Sequence, residues 1–266
     1  MSQAEETKGN LKKKETAIVS LQREIAPGIF DLWVETDLAG NAKAGQFISI
    51  YPKDKSTLLP RPISICEIDR MKQRIRLVYR VQGVGTMEFS RYQQGEEISI
   101  LGNLGNGFPI DKTKGKKTLM IAGGIGIPPM LQAAKDTQGE VTFVVGYRDQ
   151  NLFLLEDMKK YGTVFIATED GSVGTHGNVM DAMKENEIKA DLIFSCGPLP
   201  MLKAIKQFAQ EEEIEAYLSL EEKMACGVGA CLGCVCKTKK VDHHSHVHNT
   251  RICADGPVFD ATEVEI

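Results

Sequence analysis

Four cysteines near the end of the chain carry the most specific chemistry in this sequence. Cys226, Cys231 and Cys234 form a C-x4-C-x2-C run, and Cys253 follows after eighteen residues. This is the spacing of plant-type [2Fe–2S] ligation. Each iron needs two thiolates besides the bridging sulfides, so four cysteines complete the set. Gly227, Gly229 and Gly233 let the backbone wrap closely and aim N–H groups at sulfur. A zinc site is the competing reading, but zinc sites usually come as two CxxC pairs, and this run fits them poorly. Cys236 is then a fifth, non-ligating thiol, because the spacing closes without it. His243, His244, His246 and His248 read as a solvated loop between the third and fourth ligands.

A second group of residues fits a flavin dinucleotide. Arg61-Pro62-Ile63-Ser64 offers a planar guanidinium fork for a pyrophosphate and a hydroxyl for the edge of a ring. Val78-Tyr79-Arg80 ends a strand. Gly83-x-Gly85-Thr86 opens the next turn, where glycine lets backbone amides approach phosphate. The run from Asn103 to Phe108, Asn-Leu-Gly-Asn-Gly-Phe, is expected near the planar ring system. Cofactor contacts are therefore expected at Arg61, Pro62, Ile63, Ser64, Val78, Tyr79, Arg80, Gly85 and Thr86.

A third group fits a nicotinamide dinucleotide. An apolar strand runs into Gly123-Gly124-Ile125-Gly126-Ile127-Pro128, a glycine turn opening a helix whose amides can hold phosphate. Cys196-Gly197-Pro198 ends a later strand, and ligands of open α/β sheets bind at such strand ends. Gly123, Gly124, Gly126, Cys196 and Gly197 are the expected contacts, with Cys196 facing the nicotinamide. Arg148 could meet a 2′-phosphate, but Asp149 beside it opposes one, which favours NADH over NADPH.

The elements that must position these groups fall into three blocks. Residues 15–25, 29–35, 46–51, 75–81 and 97–101 are β-rich runs separated by Gly, Pro, Asn and Asp, which suggests a small antiparallel barrel. Past a polar linker at 112–117, strands at 118–121, 141–146, 164–168 and 191–196 alternate with helices at 128–136, 152–160, 178–186 and 200–213. That alternation predicts a parallel, doubly wound sheet. The expected division is a flexible lead-in over 1–14, a FAD-binding barrel over 15–111, an NAD-binding α/β domain over 112–216 and a small β-rich cluster domain over 217–266.

Composition agrees with an α+β multidomain globular protein. The 266 residues are 42% hydrophobic and 26% charged, with a formal net charge of −4, which gives no reason to expect nucleic acid or an anionic membrane as partner. Residues 1–15 are polar and lysine-rich, without the apolar core of a signal peptide. The longest uncharged stretch, 118–134, is broken by glycines and prolines and is a poor membrane span. Seven cysteines, five in the last 41 residues, speak against a disulfide framework and for a reducing compartment, the cytoplasm.

Together these motifs resemble the ferredoxin–NADP reductase-like flavoproteins. Within them the chain is similar to the electron-transfer subunits of class 1B dihydroorotate dehydrogenases. The similarity runs from about Glu15 to Phe259 and is most specific over Glu221-Glu222-Lys223-Met224-Ala225-Cys226-Gly227-Val228-Gly229-Ala230-Cys231-Leu232-Gly233-Cys234. It closes at Cys253-Ala254-Asp255-Gly256-Pro257-Val258-Phe259. It implies FAD in the barrel, NAD(H) at the α/β domain and a cluster near a catalytic subunit that carries FMN and oxidises dihydroorotate in pyrimidine biosynthesis, in an α2β2 assembly. A flavin placed between them would convert a two-electron donor into a one-electron relay. No general acid or base is expected in this chain. The alternative is a reductase subunit of another FAD/[2Fe–2S] system serving an oxygenase, a hydrogenase or ferredoxin. A zinc or iron sensor that reuses the fold is the non-enzymatic rival.

Overall fold

The computed structural model describes residues 13–239, 241 and 247–266. The lead-in up to residue 12 and His243, His244 and His246 lie outside the described residues.

The first block is a closed antiparallel barrel. Its strands are β1 (Lys13–Ala26), β2 (Ile29–Glu35), β3 (Phe47–Tyr51), β4 (Arg61–Asp69) and β5 (Arg74–Arg80), then helix α1 (Val84–Phe89) and β6 (Glu97–Leu104). The order round the barrel is β1-β2-β5-β4-β3-β6. Alternate residues point inward and fill it with Leu32, Ile48, Ile50, Ile65, Leu77 and Ile100, all fully buried. Lys13 and Lys14 pair with Gly102 and Leu101, so β1 begins two residues before the expected start of the barrel. β4 is a nine-residue strand that opens on the Arg61–Ser64 motif and is missing from the expected β-rich runs. Gly83 to Thr86 is not a plain turn, because it starts α1: the Thr86 hydroxyl accepts from the amides of Gln82 and Gly83 at 2.9 and 3.2 Å.

The second block alternates as expected: β7 (Lys117–Gly123), α2 (Pro128–Asp136), β8 (Glu140–Tyr147), α3 (Leu155–Met158), β9 (Thr163–Thr168), β10 (Thr175–His176), α4 (Val179–Glu185), β11 (Leu192–Cys196), α5 (Leu199–Glu211) and β12 (Glu215–Ser219). Counted from β7, the five long parallel strands run third, second, first, fourth, fifth. The order reverses between β7 and β11, so a crevice opens at their carboxyl ends. β7 is buried on both faces. Leu119 and Ile121 meet α4 and α5, while Met120 and Ala122 meet α2. α3 keeps only four residues of the expected 152–160. Leu154 has φ +63°, and the Tyr147 hydroxyl donates to the Phe153 carbonyl at 2.8 Å, which turns the chain away from a helix.

The third block holds β13 (Val235–Thr238), β14 (Asn249–Arg251), β15 (Val258–Asp260) and β16 (Val264–Glu265). β14-β13-β16 form a small sheet. β15 returns to pair antiparallel with β12 at the edge of the large sheet, and the division expected at residue 216 falls inside β12.

Barrel and α/β domain share a core. α2 lies against β4, and Ile29, Cys66 and Val78 of the barrel pack with Met130, Leu131 and Ala134. Buried charge crosses the same boundary. Arg76 on β5 gives Nε and Nη2 to Asp31 on β2 at 2.8 and 3.0 Å, and Nη1 to Asp157 on α3 at 2.9 Å. Gln132 on α2 accepts from the Ile68 amide at 2.7 Å. No described helix is long and apolar enough to cross a membrane.

Candidate functional site

One cavity of about 400 Å³ gathers most of the expected flavin contacts. Arg61, Pro62, Ile63 and Ser64 from β4, Val78, Tyr79 and Arg80 from β5, and Thr86 from α1 all line it. Its size falls within the range of small-molecule sites, roughly 300–1,000 Å³. The opposite wall comes from Ile125, Pro257 and the segment 219–224, which runs directly into Cys226. Gly85 does not reach the cavity. A Cβ there would stand 2.9 Å from Arg61 Nε, so Gly85 is the gap that seats the Arg61 side chain. The Arg61 guanidinium also donates to the Leu59 carbonyl. An arginine braced on two sides and aimed into a cavity fits an anionic pyrophosphate. Tyr79 is 1% exposed and its hydroxyl accepts from Gln22 at 2.8 Å, so its ring is largely structural. Burial pushes its phenol well above the ordinary value.

The Asn103 to Phe108 run does not lie against this cavity. It is a joint between all three blocks. Asn106 donates its amide to the Gly256 carbonyl at 2.6 Å and its side chain to the Asp255 carbonyl at 2.9 Å. Phe108 stacks on Phe194 of β11 with centroids 4.7 Å apart.

A second cavity of about 650 Å³ opens over the ends of β7, β8 and β9. Arg80, Gly123, Gly124, Arg148, Glu169, Asn178 and Met201 are among the residues that line it. Arg80 belongs to both cavities. Gly124, at φ +54°, turns the backbone into the crevice. Pro128 and Pro129 open α2 and have no N–H, so the helix start itself gives fewer donors than expected, and the amides at hand are those of the Gly124–Gly126 turn. Gly126 and Gly197 have packing roles. A Cβ on Gly126 would meet the Cys196 carbonyl oxygen at 2.2 Å, and one on Gly197 would meet Met201 Cε at 2.4 Å. Cys196 is fully buried and lines neither cavity. Burial pushes its thiol up, and Ser219 stands between it and the first cavity as its hydrogen-bonding neighbour.

Three of the four expected ligand sulfurs accept backbone amides. Val228 and Ala230 give their amides to Cys226 Sγ at 3.4 and 3.3 Å, Gly229 to Cys253 Sγ at 3.1 Å, and Cys253 to Cys234 Sγ at 3.4 Å. Gly227 and Gly229 have φ +68° and +83°, which the wrap requires. Burial raises the Cys226 thiol, but the amides of Val228, Cys231 and Ala230 outweigh it and hold the thiol at about 6. Such donors favour anionic sulfur, the form a metal needs. Cys231 is exposed, while Cys234 and Cys253 are buried. Cys236 lines a separate groove with Leu199, Leu202 and Lys237, and burial pushes its thiol up to about 11. His248, the described histidine of that loop, faces the Lys239 carbonyl through Nδ1 at 3.0 Å.

Two supporting residues escaped the sequence. Arg251 donates Nε and Nη2 to Asp255 at 2.9 and 3.0 Å and Nη1 to the Gly229 carbonyl at 3.2 Å, so this pair braces the cysteine loop. Their four-residue spacing was the available signal.

Comparison with known proteins agrees with this architecture. Residues 120–207 match the oxidoreductase NAD-binding domain, and residues 221–265 match the iron-sulfur cluster binding domain of dihydroorotate dehydrogenase B. The solved structure of an NADH-dependent reduced ferredoxin-NADP oxidoreductase aligns with TM-score 0.82 at 27% identity, over 94% of this chain and 89% of the other. A ferredoxin NADP+ reductase from Neisseria gonorrhoeae shares the fold, with TM-score 0.62 at 16% identity, over 75% of this chain and 91% of the other. Fold and domains thus define an NAD-linked iron–sulfur oxidoreductase subunit. Relatives described as the electron transfer subunit of dihydroorotate dehydrogenase B (NAD(+)) match at 45% identity in Listeria monocytogenes, over 92% of this chain and 96% of the relative. One from Streptococcus mutans matches at 42%, over 94% and 98%. The chain belongs to this family of electron transfer subunits.

Proposed function

We propose that this chain carries electrons between NAD(H) and an FMN-containing dihydroorotate dehydrogenase subunit, using FAD in the first cavity and a [2Fe–2S] cluster on Cys226, Cys231, Cys234 and Cys253. The observation that carries the reading is the shared cavity. The barrel supplies Arg61, Ser64 and Arg80 on one side, and the segment entering the cysteine loop supplies the other. A ring held there sits between the dinucleotide crevice and the cluster loop.

Each group has a defined task. Arg61 holds the pyrophosphate through its fork, and Gly85 keeps that fork in place. Ser64 offers its hydroxyl at the cavity wall. The Gly124–Gly126 turn holds the dinucleotide phosphates, and Arg80, present in both cavities, stabilises negative charge where they meet. Backbone amides around Cys226 favour its anionic form, and the Gly229 amide donates to Cys253, whose thiol burial otherwise pushes up. FAD, when bound, supplies the conversion between a hydride and single electrons that a one-electron cluster demands. Residues 15–111, 112–216 and 217–266 serve FAD, NAD and the cluster in turn. The assembly is an α2β2 heterotetramer in the cytoplasm.

Steady-state assays test this. The isolated chain should oxidise NADH with artificial dyes and should leave dihydroorotate untouched. Dihydroorotate-dependent reduction of NAD should appear only when the catalytic subunit is added. Dihydroorotate turnover by this chain alone would overturn the division of labour.

A further inference from the structure

We propose that Glu169, at the end of β9, sets the preference for NADH over NADPH, an inference that rests on the second cavity being the dinucleotide site. The sequence pointed to Asp149 for this task. In the structure Asp149 does not line the cavity, and its Oδ1 accepts from the amide and the side chain of Asn151 at 2.9 and 2.7 Å. Asp170 is engaged in the same way with the Ser172 amide at 2.9 Å. Glu169 does line the cavity, is exposed, and its carboxylate takes no hydrogen bond or ion pair among the described residues.

The strand order says which part of the dinucleotide it meets. The glycine turn at the end of β7 takes the pyrophosphate. Arg80 leads from there to the ring cavity, so the nicotinamide half points to the barrel. The adenosine half must then lie over the ends of β8 and β9. Tyr147 pairs with Thr168, and the Glu169 amide donates to the Tyr147 carbonyl at 3.2 Å, which sets Glu169 beside Arg148 at this end. A carboxylate in that place accepts from a ribose 2′-hydroxyl and repels a 2′-phosphate. Arg148 lines the same cavity and makes no ion pair among the described residues. The fork that a 2′-phosphate needs is therefore already present, opposed by a single negative charge.

The test uses the purified FAD-containing protein, its flavin first reduced with dithionite so that no hydride can pass, with dissociation constants for NADH and NADPH measured by calorimetry. Glu169→Gln should move the NADPH:NADH affinity ratio toward NADPH by at least about tenfold, which is about 1.4 kcal/mol. The double variant Glu169→Gln/Arg148→Ala should lose that gain, a dependence that a merely structural Glu169 would not produce. An unchanged ratio in Glu169→Gln, with NADH still bound by the wild type, overturns the inference alone. A wild type that binds no NADH overturns the dinucleotide reading itself.

Discussion

Replacing Asp31 by Asn should destabilise the protein far more than replacing any surface carboxylate. Asp31 has no exposed side-chain surface and Arg76 only 6%. The Asp31 carboxylate accepts four hydrogen bonds, two from Arg76 and two from Arg23 at 3.1 and 2.9 Å. Removing one partner of a buried pair costs about 3–5 kcal/mol, because the other charge stays buried without compensation. Arg76 keeps Asp157, whose side chain is 27% exposed, and a longer contact to Glu67 at 3.4 Å, so these offset only part of the loss. With about 2.1 cal/mol/K of unfolding entropy per residue, each kcal/mol moves the midpoint of a chain this long by about 1.8 °C, which gives a fall of about 5–9 °C. The control is Glu156→Gln. Its partner pair with Lys159 is 80% and 53% exposed, and such pairs are worth about 1 kcal/mol at most. Thermal unfolding followed by circular dichroism on both variants measures the difference. An Asp31→Asn midpoint within 2 °C of the control's, on this scale about 1 kcal/mol, would refute the idea that the buried Asp31–Arg76 pair holds the barrel together.

Three further outcomes are expected. Gly85→Ala should leave the fold intact, since the atom it meets belongs to a flexible side chain, yet it should displace Arg61. FAD affinity, measured by equilibrium dialysis, should fall toward that of Arg61→Ala, about ten- to a hundredfold below wild type. Unaltered FAD binding would count against the Arg61 assignment. Cys236→Ser should keep the visible cluster spectrum and Cys231→Ser should lose it; the opposite pair of spectra would reverse the ligand set. Urea midpoints should fall at both extremes of pH. Burial raises the Asp157 carboxyl, but Lys160 and Arg76 outweigh it and hold it below its ordinary 3.8. Its contribution is present above 3.8 and lost as pH falls through the folded value. Burial lowers Lys135, but Glu67 outweighs it and raises the ammonium above 10.5. That contribution is present below 10.5 and lost as pH climbs through the folded value. A midpoint that rises on acidification below about pH 4 would contradict the Asp157 part.

Local patterns were legible in the sequence and long-range ones were not. The β7 run of apolar residues, the helix at 178–186 and the cysteine spacing each announce themselves within twenty-odd positions, and the structure carries the matching strand and helix there. Arg61, Ser64, Val78, Tyr79, Arg80 and Thr86 were picked from short motifs, and they do line one cavity. Gly85, Gly126 and Gly197 were picked for approach to a ligand. Their lost side chains instead make room for Arg61, the Cys196 carbonyl and Met201. Glycine spacing reports close approach without naming what approaches. β4 was missed because it opens on Arg-Pro and bears a charged residue at Glu67. The Asp31–Arg76–Asp157 chain was invisible because its members stand 45 and 81 residues apart. Asp149 was read from its adjacency to Arg148, whereas Glu169, which reaches the same cavity from the end of a neighbouring strand, carries no such mark in the sequence.

The return of β15 to β12 has a consequence for anyone who would shorten this protein. The cysteine loop is stitched to the large sheet on both sides, leaving through β12 and coming back through β15. It is an insertion within one sheet rather than a bead on a tether. A truncation after residue 219 would strip the cover from an edge strand and invite self-association. A cluster-free version that keeps residues 258–260 joined to β12 by a short bridge would preserve that seam.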